Sequence, residues 1–118
     1  MEEILPGIWL DGGHNEDGIR SFLQTAALHK GRKELIFAAA SDKEHKSMIR
    51  QLTESGLFEK VVVTAFQGNR AKPPEELRDL FLQEGQQTVL HFADTRSALE
   101  QIRKDRAQFV GIYIAGSL

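Results

Sequence analysis

The sequence predicts an α/β three-layer sandwich, built on a mostly parallel sheet of about six strands whose first strand runs antiparallel. Three observations carry that prediction. Short apolar runs alternate with segments whose apolar residues recur at helical spacing. The run 60–66 contains Val61-Val62-Val63, a β-branched triplet typical of a strand covered on both faces. Apolar runs also stop repeatedly at glycine or short polar residues, most abruptly where Ile8-Trp9-Leu10 meets Asp11-Gly12-Gly13-His14-Asn15.

Residues 1–4 and 8–11 read as two strands around a turn at Leu5-Pro6-Gly7. Proline presets φ there and glycine accepts a positive φ, so the first strand should lie antiparallel to the second. Ile19, Phe22, Leu23, Ala26 and Ala27 place a helix over about residues 17–29, closed by Lys30-Gly31 as a cation near the negative helix end and a glycine stop. A strand at 35–40 follows. Ser41 or Asp42 is placed to cap a helix over 43–54 that buries Met48, Ile49 and Leu52 and ends at Gly56. After the strand 60–66, the segment 67–74 has loop composition, and Pro74 suits the first turn of a helix to residue 83 that buries Leu77, Leu80 and Phe81. Residues 88–92 form a strand, and Asp94 caps a helix carrying Ala98, Leu99 and Ile102. The last strand, 109–115, precedes Gly116-Ser117-Leu118. Alternation at this spacing implies parallel crossovers with helices on both faces of the sheet.

This topology has a chemical consequence. Asp11, Ser41, Asp42, residues 64–70, Asp94 and Ser117 all follow strands, so a parallel sheet gathers them at one edge. Open α/β sheets bind ligands in the crevice at that edge.

Composition narrows the choice of ligand. The 118 residues fit one domain with a real core. A net charge of −2 and a pI near 6.1 give no excess of Lys and Arg for a polyanion, so no nucleic-acid partner is expected. The absence of cysteine rules out disulfides and thiolate metal sites and is compatible with a cytoplasmic location. No apolar run approaches the roughly 20 residues that span a bilayer, and no charged-then-apolar leader precedes Ile4, so a soluble protein with no membrane partner is expected.

The segment Asp11 to Asn15 admits two readings. In one, Asp11 and Asn15 bond their own backbone in a glycine turn. In the other, Asp11 accepts hydrogen bonds from a diol or binds an ion, the glycines let the backbone approach a ligand, and His14 faces an anion near a helix start. One Asp and one His three apart, with no further ligands in register, do not make a metal site. Ser41 and Asp42 are most simply helix caps, and Arg70 with Lys72 is a solvated pair of cations, an anion contact or a hinge salt bridge. His29, His45 and His91 offer little, and His91 is expected to be packed within its strand. No G-x-x-x-x-G-K-[ST], G-x-G-x-x-G or G-x-S-x-G run occurs, and no residue is assigned a catalytic role.

Taken together, four segments resemble a known family. Leu10-Asp11-Gly12-Gly13-His14-Asn15 is similar to the Leu-Asp-Gly-Ala-His-Asn signature in the carboxyl-terminal domain of folylpolyglutamate and dihydrofolate synthases, members of the Mur ligase superfamily. Ala40-Ser41-Asp42-Lys43 resembles that family's Ser-Asp-Lys-Asp segment, Asn69-Arg70-Ala71 its Pro-Arg-Ala segment, and Gly116-Ser117-Leu118 its Gly-Ser-Leu segment. The resemblance implies a Rossmann-like domain of an ATP-dependent ligase that joins glutamate to folates through an acyl phosphate. By the same resemblance, Asp11 contacts the ATP ribose or neighbouring nucleotide groups, His14 helps hold the incoming glutamate, and Ser117 binds its carboxylate. Gly12, Gly13, Asn15, Ser41, Asp42, Lys43 and Arg70 shape the supporting loops.

The implied cofactors are ATP and Mg2+ in the full-length enzyme, neither held tightly by this chain alone. Its implied partners are an amino-terminal P-loop domain of the same polypeptide and the substrates ATP, glutamate and folate. A monomer is expected, inactive without the missing domain. Gly13 departs from the family's commoner alanine, a change that in sequence removes a methyl and adds backbone freedom. Glu44 stands in place of aspartate and Ala115 in place of threonine. Two alternatives stay open at the level of sequence: a peptidoglycan ligase domain of the Mur type, and a stand-alone binding module of the same fold.

Overall fold

A computed structural model describes residues 1–41, 45–68, 70–105 and 110–116. The described residues form β1 (Glu2–Leu5), β2 (Ile8–Leu10), α1 (Glu16–Ala26), β3 (Lys33–Ala38), α2 (His45–Glu54), β4 (Lys60–Val63), α3 (Pro74–Gln83), β5 (Val89–His91), α4 (Thr95–Asp105) and β6 (Gly111–Gly116). The strands make one sheet in the order β1-β2-β6-β3-β4-β5. Only the β1–β2 pair is antiparallel, as the Pro6-Gly7 turn predicts, and the other four pairs are parallel.

Side chains alternate across the sheet and build a core on each face. Leu35, Phe37, Val61, Val63, Tyr113 and Ala115 point to one side and pack against Ile19, Phe22 and Ala26 of α1, Met48, Ile49 and Leu52 of α2, and Leu77 and Phe81 of α3. Ile8, Ile36, Val62, Ile112 and Ile114 point to the other side, where α4 covers them with Ala98 and Ile102. Burial of both faces explains why β3, β4 and β6 read as continuous apolar runs.

Several boundaries differ from the sequence expectation. Helix α1 ends at Ala26, not near His29, because Leu28 and His29 donate to Thr25 and Ala26 in tight three-residue turns. No basic residue lies in its last turn, and Lys33 instead anchors the connection that follows. The buried Lys33 ammonium donates to the carbonyls of His29 and Gly31. His29 Nδ1 in turn lies 2.9 Å from the Tyr113 hydroxyl, and its ring sits 4.4 Å from Trp9. Strand β3 starts two residues earlier than the sequence suggests, and β4 stops at Val63, which leaves Ala65 and Phe66 in the following loop. His91 is exposed, not packed. It lies on the short edge strand β5, 3.1 Å from the Arg78 guanidinium.

Asp94 is the cap that its position suggests. Its carboxylate accepts from the Ser97 amide at 2.7 Å, and this bond holds its pKa below the usual carboxylate range. A carboxylate with a depressed folded-state pKa stabilises the fold above its ordinary pKa. That contribution is lost as pH falls through the lower folded value. Asp94→Ala should therefore lower the melting temperature at neutral pH, and the gap from the parent should close in acid. Thermal melts of both proteins across the acid range check this.

Candidate functional site

The carboxyl ends of β2, β6 and β4 open onto one rim. Strand β2 continues past Leu10 through a bond from the Asp11 amide to the Ile114 carbonyl at 2.9 Å, which fixes Asp11 at the mouth of the sheet. The chain then turns back on itself. The Gly13 amide donates to Asp11 Oδ1 at 2.8 Å, and His14 Nδ1 lies 3.0 Å from the Gly12 carbonyl. Asn15 caps α1 by accepting from the Gly18 amide at 2.8 Å. The local reading of this segment is thus correct for Asp11 Oδ1 and for Asn15. It leaves the second carboxylate oxygen of Asp11, in a side chain 16% exposed, for other partners, and the Met1 backbone nitrogen lies 3.4 Å from it.

Glycine at position 13 does more than drop a methyl. A Cβ there would stand 2.8 Å from the Gly18 carbonyl oxygen and 2.9 Å from Asp11 Oδ1. A Cβ on Gly18 would stand 2.9 Å from the Gly13 Cα, so the turn and the first turn of α1 touch backbone to backbone. Gly13→Ala should force these segments apart, at a cost of about 1–3 kcal/mol. The urea midpoint of unfolding measures it.

The last strand is tied to the same turn. Gly116, at the end of β6, donates its amide to the Gly13 carbonyl at 2.9 Å. A cavity of about 750 Å³ opens there, bordered by Asp11, Gly12, His14 and Gly116 together with Leu10 and Phe66, with Met1 and Glu2 completing its wall. Ligand pockets commonly measure about 300–1,000 Å³. Leu10 and Phe66 also border a second cavity of about 630 Å³, which continues along Ala65 and Ile114 to Asp94, Thr95 and Arg96 at the start of α4.

The remaining predicted residues divide in two. Ser41 and Arg70 are exposed and border neither cavity, yet they are bonded together. Ala40 and Ala71 form an antiparallel bridge, the Ser41 amide donates to the Arg70 carbonyl at 2.6 Å, and the Lys72 amide donates to the Ala39 carbonyl at 2.8 Å. The buried His45 ring bonds the Ala40 carbonyl through Nε2 and secures this strap from the α2 side. Lys72 pairs with Glu76 at 3.8 Å. Asp42, Lys43 and Ser117 lie outside the described residues. Among the described residues, no group of three or more His, Asp or Glu side chains is placed to hold a metal ion, and no helix is long and apolar enough to cross a membrane.

Sequence reasoning did not find Phe66 or Leu10 as cavity walls, and it passed over His45. The signal for Phe66 was available: an aromatic residue in a segment whose other members are polar or small.

Fold and rim together define a Rossmann-like α/β domain that presents an open cleft at the carboxyl ends of its strands. The chain belongs to the Mur ligase, glutamate ligase domain family, whose model matches residues 3–118. It is similar in structure to a Mycobacterium tuberculosis folylpolyglutamate synthase complexed with ADP, at 25% identity, TM-score 0.80, over 93% of this chain and 27% of that one. It is also similar to Escherichia coli FolC in complex with ADP, at 15% identity, TM-score 0.81, over 93% of this chain and 26% of that one. A bifunctional folylpolyglutamate synthase/dihydrofolate synthase from Yersinia pestis, complexed with AMPPNP and a Mn ion, matches at 20% identity and TM-score 0.80, over 93% of this chain and 25% of that one. The chain therefore spans about a quarter of the length of these solved proteins. No curated protein matches it.

Proposed function

We propose that this chain is the carboxyl-terminal domain of an ATP-dependent ligase that adds glutamate to folates, with a P-loop domain supplied by the same polypeptide. The observation that carries the reading is the convergence of Asp11, His14 and the backbone of Gly116 on one cavity, in a member of the glutamate ligase domain family. Its support also includes the nucleotide-bound states of the similar solved proteins.

The residues present suit the roles proposed for them. An ionised carboxylate only accepts hydrogen bonds, and the Asp11 oxygen not engaged by Gly13 is suited to ribose hydroxyls. His14 is exposed on the same wall, one residue before the cap of α1, where an imidazole and the helix-start amides favour a carboxylate such as that of glutamate. Ser117, next to Gly116, is the proposed second contact to that carboxylate. Gly12, Gly13 and Asn15 hold the turn in shape, Ser41 and Arg70 belong to the neighbouring strap, and Asp42 and Lys43 are proposed as supporting residues beside them. ATP supplies the phosphoryl group that activates the folate carboxylate. Mg2+ is ligated in this reading by the nucleotide phosphates and by residues of the other domain. Glutamate and folate then meet in a cleft whose second wall belongs to that domain, so chemistry depends on closure of the two halves. The enzyme is read as a cytoplasmic monomer, and this chain alone as inactive.

The test is glutamate ligation by the full-length protein carrying Asp11→Ala or His14→Ala. Loss of one hydrogen bond to a charged or polar ligand group should lower kcat/KM roughly ten- to hundredfold. Full activity in both variants would remove the site assignment.

A further inference from the structure

Phe66 stands apart from every other described aromatic residue. Phe22, Phe37, Phe58, Phe81 and Tyr113 belong to the larger core, Trp9 packs against it, and Phe92 packs against the smaller one. Phe66 belongs to neither core and makes no ring contact among the described residues. It is half-buried in the loop after β4, where its side chain borders both rim cavities, and Leu10 borders the same two. A half-buried aromatic ring at a ligand rim, outside both cores, leaves part of its apolar surface facing water. A planar ligand group laid against it would cover that surface and gain stacking energy.

We propose that Phe66 is a stacking platform for the planar ring of a bound substrate. The polar end of that substrate lies in the cavity of Asp11 and His14, and its ring reaches over Phe66 toward the apolar wall formed by Ala65 and Ile114. The lining fits such a molecule: Asp11 and His14 offer hydrogen bonds in the first cavity, and the second is the more apolar of the two, with Ala65 and Ile114 on its wall and Gln67, Asp94, Thr95 and Arg96 at its polar edge. A nucleobase and a fused heteroaromatic ring of a folate share this chemistry, and kinetics separate them. The inference rests on the ligase reading for its substrates but not for its geometry.

The experiment uses the full-length protein with Phe66→Ala, Phe66→Leu and Phe66→Tyr. Leucine keeps apolar bulk and removes the ring face, so it distinguishes stacking from simple packing. Alanine and leucine should each raise one KM about tenfold with kcat little changed, and tyrosine should restore it. A rise in the KM for ATP assigns the nucleobase, and a rise in the KM for folate assigns the folate ring. If neither KM moves in Phe66→Leu, the proposal is overturned. Should the parent protein show no ligation, the ligase reading fails by itself. Stacking is then read from the fluorescence of Phe66→Trp titrated with ATP and with dihydrofolate: quenching that saturates supports the platform, and an unchanged signal overturns it.

Discussion

Replacing Gly116 with alanine should cost at least about 3 kcal/mol of folding stability, a large part of the roughly 5–15 kcal/mol that holds a typical domain together. Two independent penalties combine at this position. Gly116 has φ of +99°, a conformation that residues with a Cβ rarely adopt. A Cβ built there would also lie 2.1 Å from the Ala38 carbonyl oxygen and 3.1 Å from Phe37 Cε1. The first of these contacts is with backbone of the neighbouring strand, which pairs with Gly116 in register and cannot swing aside as a side chain could. Relief requires β6 to part from β3 at the rim, which would also strain the bond from Gly116 to the Gly13 carbonyl. Urea unfolding of the variant should show a much lower midpoint. A midpoint within experimental error of the parent would mean that the end of β6 is free to re-form elsewhere.

Phe37→Ala is expected to have a comparable or larger effect, about 3–5 kcal/mol. Phe37 is fully buried in the central strand β3 and meets Phe81 of α3 edge to face, with ring centroids 5.7 Å apart and planes at 80°. Truncation removes a ring from a close-packed layer and leaves a void that β3, held by β4 and β6 on both sides, cannot collapse to fill. The two substitutions probe one place from opposite directions, since the Phe37 ring is also a neighbour of the Gly116 Cα. Shortening Phe37 should nevertheless rescue little of the Gly116→Ala defect, because the harder wall is the Ala38 carbonyl. A cycle of the two single variants and the double variant, followed by urea unfolding, measures that residual coupling.

Much of this architecture was legible in the sequence because it follows from periodicity and from residues that act on their immediate neighbours. Pro74 opened α3 and Gly56 followed the end of α2 as their chemistry demands, and Asn15 and Asp94 bond amides three residues on. The reading failed where a distant part of the chain decides. Lys30-Gly31 resembles a helix stop, yet the helix ends sooner, in the turns at Leu28 and His29, and Lys33 from the next strand bonds the carbonyls of His29 and Gly31 in the connection that follows. His91 sits in a strand pattern, but that strand is three residues long and lies at the sheet edge, so its ring stays exposed beside Arg78. The requirement for glycine at position 13 depends on how closely Gly18 approaches, a distance that no local rule supplies. The candidate site shows the same division. The rule that strand ends gather at one edge named Asp11 and Asp94, which border the two rim cavities, and also Ser41, which borders neither. It did not reveal that the loop after β4 carries Phe66 across to Leu10, since that depends on the path of a segment with no repeating pattern.

The bridge between Ala40 and Ala71 couples two stretches of chain that look unrelated when read in order. With amide-to-carbonyl links on either side of it and the His45 ring bracing it from behind, the pair behaves as a yoke: neither arm shifts without pulling the other. A molecule that touches either arm therefore meets both at once.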